Sequence, residues 1–199
     1  MFTKYKKFID KYISLNQIEW ALFKSKVKMF HHKKGEIIHY AGDVCTKLMF
    51  INYGIIRAYI IELNGKDYTW NICFNDTNSK MTNVYVVDYD SFVNQSQSKI
   101  SFEVLEDCEL LSLTYNDLQF LYKHSKKGER FGRLMAEMAY SHTHNATIDR
   151  LTKTAQERFE DLINEAPYLL EKVPQYHIAT YLGITPQSLS RLKSKKFHL

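Results

Sequence analysis

The sequence predicts an α+β protein: a β-roll of jelly-roll type in the N-terminal half, a long helix after it, and a helix-turn-helix at the C-terminal end. Three observations carry this reading. Between Val27 and Leu113, short runs rich in Ile, Val, Tyr, Phe and Thr are cut by glycine-bearing turn signals every ~7 to 12 residues, the rhythm of a sandwich or barrel. Beyond Thr114 those signals stop and apolar residues recur at helical spacing. From Pro174 onward two short amphipathic runs flank Gly183, the pattern of two helices packed across a tight turn.

Taken in order, residues 1–26 read as helical. Phe2, Tyr5, Phe8, Ile9, Tyr12 and Ile13 are interleaved with Lys4, Lys6, Lys7 and Lys11, an amphipathic pattern and not a secretory segment. Ser14 and Gln17 have the spacing of a capping box ahead of Ile18, Ala21, Leu22 and Phe23. Strands are expected at Glu36–Tyr40, Leu48–Asn52 and Ile55–Leu63. Turns at Ala41-Gly42-Asp43 and Tyr53-Gly54 separate them, and Asn64-Gly65 is a hairpin turn.

Tyr115 to Glu171 reads as helix. An apolar stripe through Phe131, Leu134, Met135 and Met138 resumes at Ile148 and Leu151, and its middle, Ser141 to Asn145, is polar. A self-association seam tolerates such polar residues at some cost in stability. Phe159, Leu162, Ile163 and Ala166 mark a further helix that Pro167 interrupts. Pro174 is placed to open the next one, with Ile178, Ala179 and Leu182 as its buried face up to Gly183. Thr185 is a natural N-cap for a last helix starting at Pro186. There Leu189 and Leu192 face inward, and Gln187, Ser188, Arg191 and Lys195 face outward.

Charge adds to this. The 199 residues carry 27 basic and 22 acidic side chains, a mild net +5. Five of the basic residues and none of the acidic ones lie in the last 28 positions, so the rest of the chain is balanced at 22 of each. The excess of positive charge is thus concentrated where the helix-turn-helix ends, where it either draws a polyanion or forms a solvated basic tail. With no carboxylate to repel phosphates, Gln187, Ser188 and Arg191 can read base edges, while Lys193, Lys195 and Lys196 supply salt-dependent backbone contacts.

Other functions find little support. Cys45, Cys73 and Cys108 are too few and too scattered for a disulfide framework, a structural zinc site or an iron–sulfur cluster, and they suit a reducing compartment. His142 and His144 diverge by about 200° on a helix and cannot share a metal within one chain. His31 and His32 read as exposed loop or strand residues. No run of 18 uncharged apolar residues occurs, so neither a membrane span nor a membrane partner is expected, and the cytoplasm is the default location. No glycine-rich phosphate loop, HExxH or GxSxG is present, so an enzyme is not expected.

The order of several pieces then becomes specific. Lys34-Gly35-Glu36-Ile37-Ile38, Gly42, Phe50-Ile51, Gly54-Ile55-Ile56-Arg57, the run Glu106 to Leu113, the long helix and the closing helix-turn-helix together resemble the cyclic-AMP receptor and fumarate-nitrate regulator (CRP/FNR) family of bacterial transcription factors. The resemblance implies a cyclic-nucleotide-binding-type β-roll with N-terminal helices over 1–125, a dimerisation helix over 126–151 and a helix-turn-helix DNA-binding domain over 152–199. It implies double-stranded DNA and a second copy of the chain as partners, with RNA polymerase a further candidate and the small-molecule effector unknown. It also makes Thr185 a phosphate-contacting cap, Gln187, Ser188 and Arg191 recognition residues, and Phe131, Leu134, Met135, Met138, His142 and Asn145 the dimer interface.

The resemblance fails at the ligand cassette. No glycine occurs between Gly65 and Gly128 and no arginine between Arg57 and Arg130, and the expected region reads Phe74 to Met81 without the family's Gly-Glu element. Classical cyclic-AMP binding is therefore not expected and no cofactor is implied. Lys80 and Lys99 read as surface lysines, and Phe74, Tyr85 and Phe92 as fillers of a degenerate pocket. Only eight residues follow Arg191, which leaves no room for a β-hairpin wing. A second reading from a different class is a ligand-sensing or protein-interaction module whose helix-turn-helix no longer reads DNA. It leaves the basic, carboxylate-free tail unexplained.

Overall fold

The computed structural model of the chain describes residues 2–80 and 83–197. The β-rich stretch forms β1 (Lys28–His32), β2 (Ile37–His39), β3 (Lys47–Ile61), β4 (Asp67–Phe74), β5 (Tyr85–Val86) and β6 (Ser101–Thr114), all antiparallel in one sheet. β3 and β6 pair along almost their whole length, from Lys47 opposite Thr114 to Tyr59 opposite Ser101. Each changes its second partner midway. β6 takes β1 against residues 108–112 and β2 against 102–103, while β3 takes β5 at 49–50 and β4 over 55–61. Two long strands with different neighbours at each end curl the sheet into a roll, with register shifts between Ile51 and Ile56 as the bend.

The bend corrects one expectation. Leu48–Asn52 and Ile55–Leu63 are not two strands joined by a turn at Tyr53-Gly54 but one strand carrying an irregularity. Gly54 has φ +100°, and a Cβ there would stand 2.4 Å from the Cβ of Cys108 on β6. Only glycine combines that backbone with so close an approach, and in sequence a bulge glycine looks the same as a turn glycine. Asn64-Gly65 does turn the hairpin between β3 and β4: Gly65 has φ +80° and the Lys66 amide donates to Asn64 Oδ1 at 2.8 Å.

Helices α1 (Thr3–Ile9), α2 (Gln17–Lys26) and α4 (Tyr115–His124) cover one face of the roll with the start of α5 (Lys126–Thr152). Tyr5 stacks on Phe50 of β3 at 4.3 Å, and Ile9, Phe23, Leu121 and Phe131 complete the layer. The cap of α2 is Asn16, whose Oδ1 accepts from the Glu19 amide while Glu19 returns a bond to the Asn16 amide. The capping box expected at Ser14 and Gln17 thus lies two residues further on, because Asn and Ser both satisfy the first-turn amides and Glu19 selects Asn16.

The C-terminal end folds as α6 (Ala155–Glu165), α7 (Pro167–Lys172), α8 (Gln175–Tyr181) and α9 (Pro186–Phe197). Their buried residues Phe159, Leu162, Leu169, Ile178 and Leu189 form one cluster with Ile55, Ile72, Phe74 and Leu105 of the sheet. The helix-turn-helix is therefore seated on the roll's outer face through a shared apolar core. Among the described residues no helix is long and apolar enough to cross a membrane.

Candidate nucleic-acid interface

Three features build the turn between α8 and α9. Ala179 and Leu189, both 0% exposed, bring the helices together. Gly183 takes φ +69°, and the Ile184 amide reaches back to the Ala179 carbonyl at 2.9 Å. Arg158 of α6 donates to the Leu182 carbonyl at 2.9 Å, tying the turn to the preceding helix. Thr185 caps α9: its Oγ1 accepts from the Ser188 amide at 3.2 Å and lies 3.0 Å from the Ser188 hydroxyl. That fixes the first turn of α9 and orients both hydroxyls on its exposed end.

With Leu189 buried and Leu192 packed on the core, Gln187, Arg191 and Ser194 stand at i, i+4 and i+7 on the exposed side. Lys195 is exposed beside them and Ser188 is half-buried. Lys193, half-buried, lies about 200° around the helix from Arg191 and does not share that face. The structure brings Thr185, Gln187, Ser188, Arg191 and Lys195 onto one end and side of the helix and places Lys193 on the flank of its core face.

The expected self-association stripe divides in two. Phe131 is buried in its own chain against Phe8 and Tyr12, with ring centroids 6.3 and 6.2 Å away, and Met135 packs on the same layer. Leu134 is half-buried, whereas Met138, His142 and Asn145 are exposed. Leu134, Met138, Ser141, Asn145, Ile148 and Thr152 alternate by four and three residues down the more exposed side of α5, the spacing of a heptad repeat.

The roll's interior is filled. Phe92 and Phe102, each 1% exposed, pack with Met49, Ile56 and Val104. Of the three expected fillers only Phe92 sits there: Phe74 turns to the C-terminal core and Tyr85 to the helical layer. Phe92 comes from α3 (Tyr89–Asn94), whose cap Asp88 accepts from the Ser98 hydroxyl at 2.7 Å. The Ser91 hydroxyl donates to the Ser96 carbonyl and accepts from the Cys45 amide. The side chains of Asp88, Ser91 and Ser98 are thus satisfied by bonds within this segment and to Cys45. Lys80 and Lys99 are exposed, and His31 and His32 lie on β1 facing Glu109 and Glu36.

These features, a filled roll, a long helix with an exposed seam and a basic helix-turn-helix, can be set beside solved structures. FixK2 from Bradyrhizobium japonicum superposes with a TM-score of 0.67 over 85% of this chain and 83% of that one, at 17% identity. A transcriptional regulator described as of the CRP/FNR family, from Eubacterium rectale, gives 0.64 over 92% and 84%, at 21% identity. The c-di-GMP responsive global regulator CLP of Xanthomonas campestris gives 0.64 over 92% of each chain, at 14% identity. The chain has the fold of the CRP/FNR regulators. At these identities the likeness is one of fold. No family model matches the sequence, and no curated protein matches it.

Within the CRP/FNR fold, one group of residues escaped sequence reasoning. Arg57 on β3 is 3% exposed. Its Nε and Nη2 donate to Glu103 of β6 at 3.0 and 2.7 Å, and its Nη1 bonds Asp67 of β4 and, at 2.6 Å, Nδ1 of His177 on α8. Burial opposes the Asp67 charge, but hydrogen bonds from Tyr176 and Arg57 outweigh it and hold the carboxyl below its usual range. A signal was available: Arg57 is the only arginine in the first 129 residues of a lysine-rich chain, and it sits inside an apolar run. A planar fork is what a buried, multiply paired cation requires.

Proposed function

We propose that this chain is a sequence-specific DNA-binding transcription regulator that acts as a dimer and does not answer to cyclic AMP. The observation that carries the proposal is the exposed stripe Gln187–Arg191–Ser194 on a capped helix in a carboxylate-free, basic end of the chain. Arg191 pairs with the O6 and N7 atoms of a guanine, and Gln187 reads the neighbouring base. One bidentate pair of that kind supplies roughly 1–3 kcal/mol of discrimination. Lys195 and Lys196 add phosphate contacts, and Thr185 with Ser188 presents hydroxyls to the backbone.

Self-association along Leu134, Met138, Asn145 and Ile148 sets two such helices on half-sites about one DNA turn, ~34 Å, apart. His142 and Ser141 supply the polar middle of that seam. Among the described residues Phe92 and Phe102 fill the roll's interior where a cyclic nucleotide would sit, and the sequence has no arginine between Arg57 and Arg130 to pair its phosphate.

The test is a random-site duplex selection with the purified protein, followed by fluorescence anisotropy on the selected duplex and on a scrambled one at two salt concentrations. A palindromic winner is expected. Arg191→Ala should lose about 10-fold or more of the preference while keeping weak, salt-dependent binding. Equal binding of both duplexes by the parent protein refutes sequence-specific reading.

A further inference from the structure

Besides the apolar core shared with the roll, the β3–β4 hairpin holds the helix-turn-helix at two places and the long helix at one. Arg57 reaches His177 as described, and Tyr176 lies beside Asp67. One helical turn on, Thr180 Oγ1 meets the Thr69 hydroxyl at 2.7 Å. Arg150, near the end of α5, stands 4.9 Å from the Trp70 ring and 5.6 Å from the Tyr68 ring, and donates to the Trp70 carbonyl at 2.9 Å. One hairpin thus grips the first helix of the DNA-reading pair twice and the long helix once. Because α8 packs on α9 through buried Ala179 and Leu189, the hairpin also sets where the recognition helix points.

The His177 contact is conditional on charge. An arginine N–H can only donate, so Nδ1 must accept and the ring must be neutral with its proton on Nε2. A protonated ring would set two cations 2.6 Å apart.

We propose that the β3–β4 hairpin is a latch that fixes the orientation of the DNA-reading unit, and that protonation of His177 releases it. The groups facing His177 are Arg57 from β3, Asp67 from β4 and Glu103 from β6, with Tyr176 alongside on α8. Burial first, and the Arg57 charge second, disfavour the imidazolium; Glu103 and Asp67 favour it, and the net effect holds His177 below its ordinary value. A released His177 titrates near its free value of about 6.5, so below that pH the released state binds more protons than the latched one. The latch is therefore at full strength above that pH and is lost as the pH falls through the lower, latched value. The latch does not depend on the DNA-reading proposal; only its consequence for DNA does.

The hairpin contains a reporter. Trp70 is 38% exposed under Arg150 and shares a cleft with Tyr181 of α8. Trp20→Phe leaves it as the only tryptophan. In that background, acrylamide quenching of Trp70 between pH 8 and pH 5 should rise about twofold as the side chain becomes free, with a midpoint below about 6.5 and unchanged far-ultraviolet circular dichroism. His142 lines the same cleft, so the decisive arm is His177→Asn, whose amide oxygen takes the place of Nδ1 as acceptor for Arg57 but does not titrate. There the quenching should stay flat. Flat quenching in the parent, or the same rise in His177→Asn, overturns the proposal. Should His177→Asn fail to fold, Thr180→Val provides the second arm: a weakened latch must open at higher pH, and an unmoved midpoint overturns the proposal equally.

Discussion

Replacing Arg57 with alanine tests whether the buried guanidinium organises the junction between roll and helix-turn-helix. The substitution removes two hydrogen bonds to Glu103, one to Asp67 and one to His177, and it removes a cation from over the Tyr59 ring, 4.3 Å away. Hydrogen bonds to charged groups are worth about 1.5–3 kcal/mol each, but a plain sum overshoots. The Asp67 and Glu103 side chains are 23% and 24% exposed, so water reaches both once the arginine is gone. Breaking a buried ion pair costs about 3–5 kcal/mol, and this partial access places Arg57→Ala at the lower end, about 3 kcal/mol. For a chain of this size that is a drop of roughly 6–12 °C in melting temperature. Glu103→Gln keeps an acceptor for the fork and leaves Asp67 as counter-charge, so it should cost about 1 kcal/mol. Urea denaturation followed by circular dichroism and tryptophan emission reads both. The reasoning fails if Arg57→Ala stays within about 1 kcal/mol of the parent, or if Glu103→Gln costs as much as Arg57→Ala.

Gly54→Ala should destabilise by about 2–5 kcal/mol, combining a strained positive φ with a Cβ forced against the Cys108 Cβ and the Asp107 carbonyl. A thermal melt indistinguishable from the parent would show that the bulge can relax. Met138, 45% exposed on α5, can carry a glutamate without disturbing its own fold. Two such charges facing each other across a twofold seam should turn a dimer into a monomer at micromolar concentration, as sedimentation velocity would show. A parent protein that is itself monomeric there refutes the seam.

Sequence patterns revealed some parts of this molecule and concealed others for identifiable reasons. Thr185, Pro186 and Gly183 announced the helix-turn-helix because caps and left-handed turns are set by single residues. The hairpin at Asn64-Gly65 was legible on the same grounds. Gly54 misled because a glycine states that the backbone is unusual, not whether the chain reverses or merely kinks. Phe131 and Met135 fit the long-helix stripe as well as Leu134 and Met138 do. Which of them meets the chain's own α1 and which faces outward depends on how α5 lies on the roll, and that is tertiary information. The group around Arg57 draws on residues 57, 67, 103 and 177, so no local window contains it.

On the latch proposal, the cheapest route by which a signal could redirect α9 runs outside the roll. Opening the interior to a ligand means displacing Phe92 or Phe102, and removing a packed phenylalanine costs about 3–5 kcal/mol. The segment from Asp88 to Ser98 would also surrender hydrogen bonds that it satisfies within itself. On the outer face the polar contacts are individually weaker: beside the apolar core shared with Ile55, Ile72 and Phe74, the threonine pair at 69 and 180 is worth about 0.5–1.5 kcal/mol and the His177 contact with the Arg57 cation about 1.5–3 kcal/mol. A change there reaches α9 directly, because α8 and α9 share Ala179 and Leu189 at their contact and cannot move independently. On that proposal a roll with a packed interior still governs the orientation of α9, because the latch contacts lie on the hairpin that the helix-turn-helix rests on.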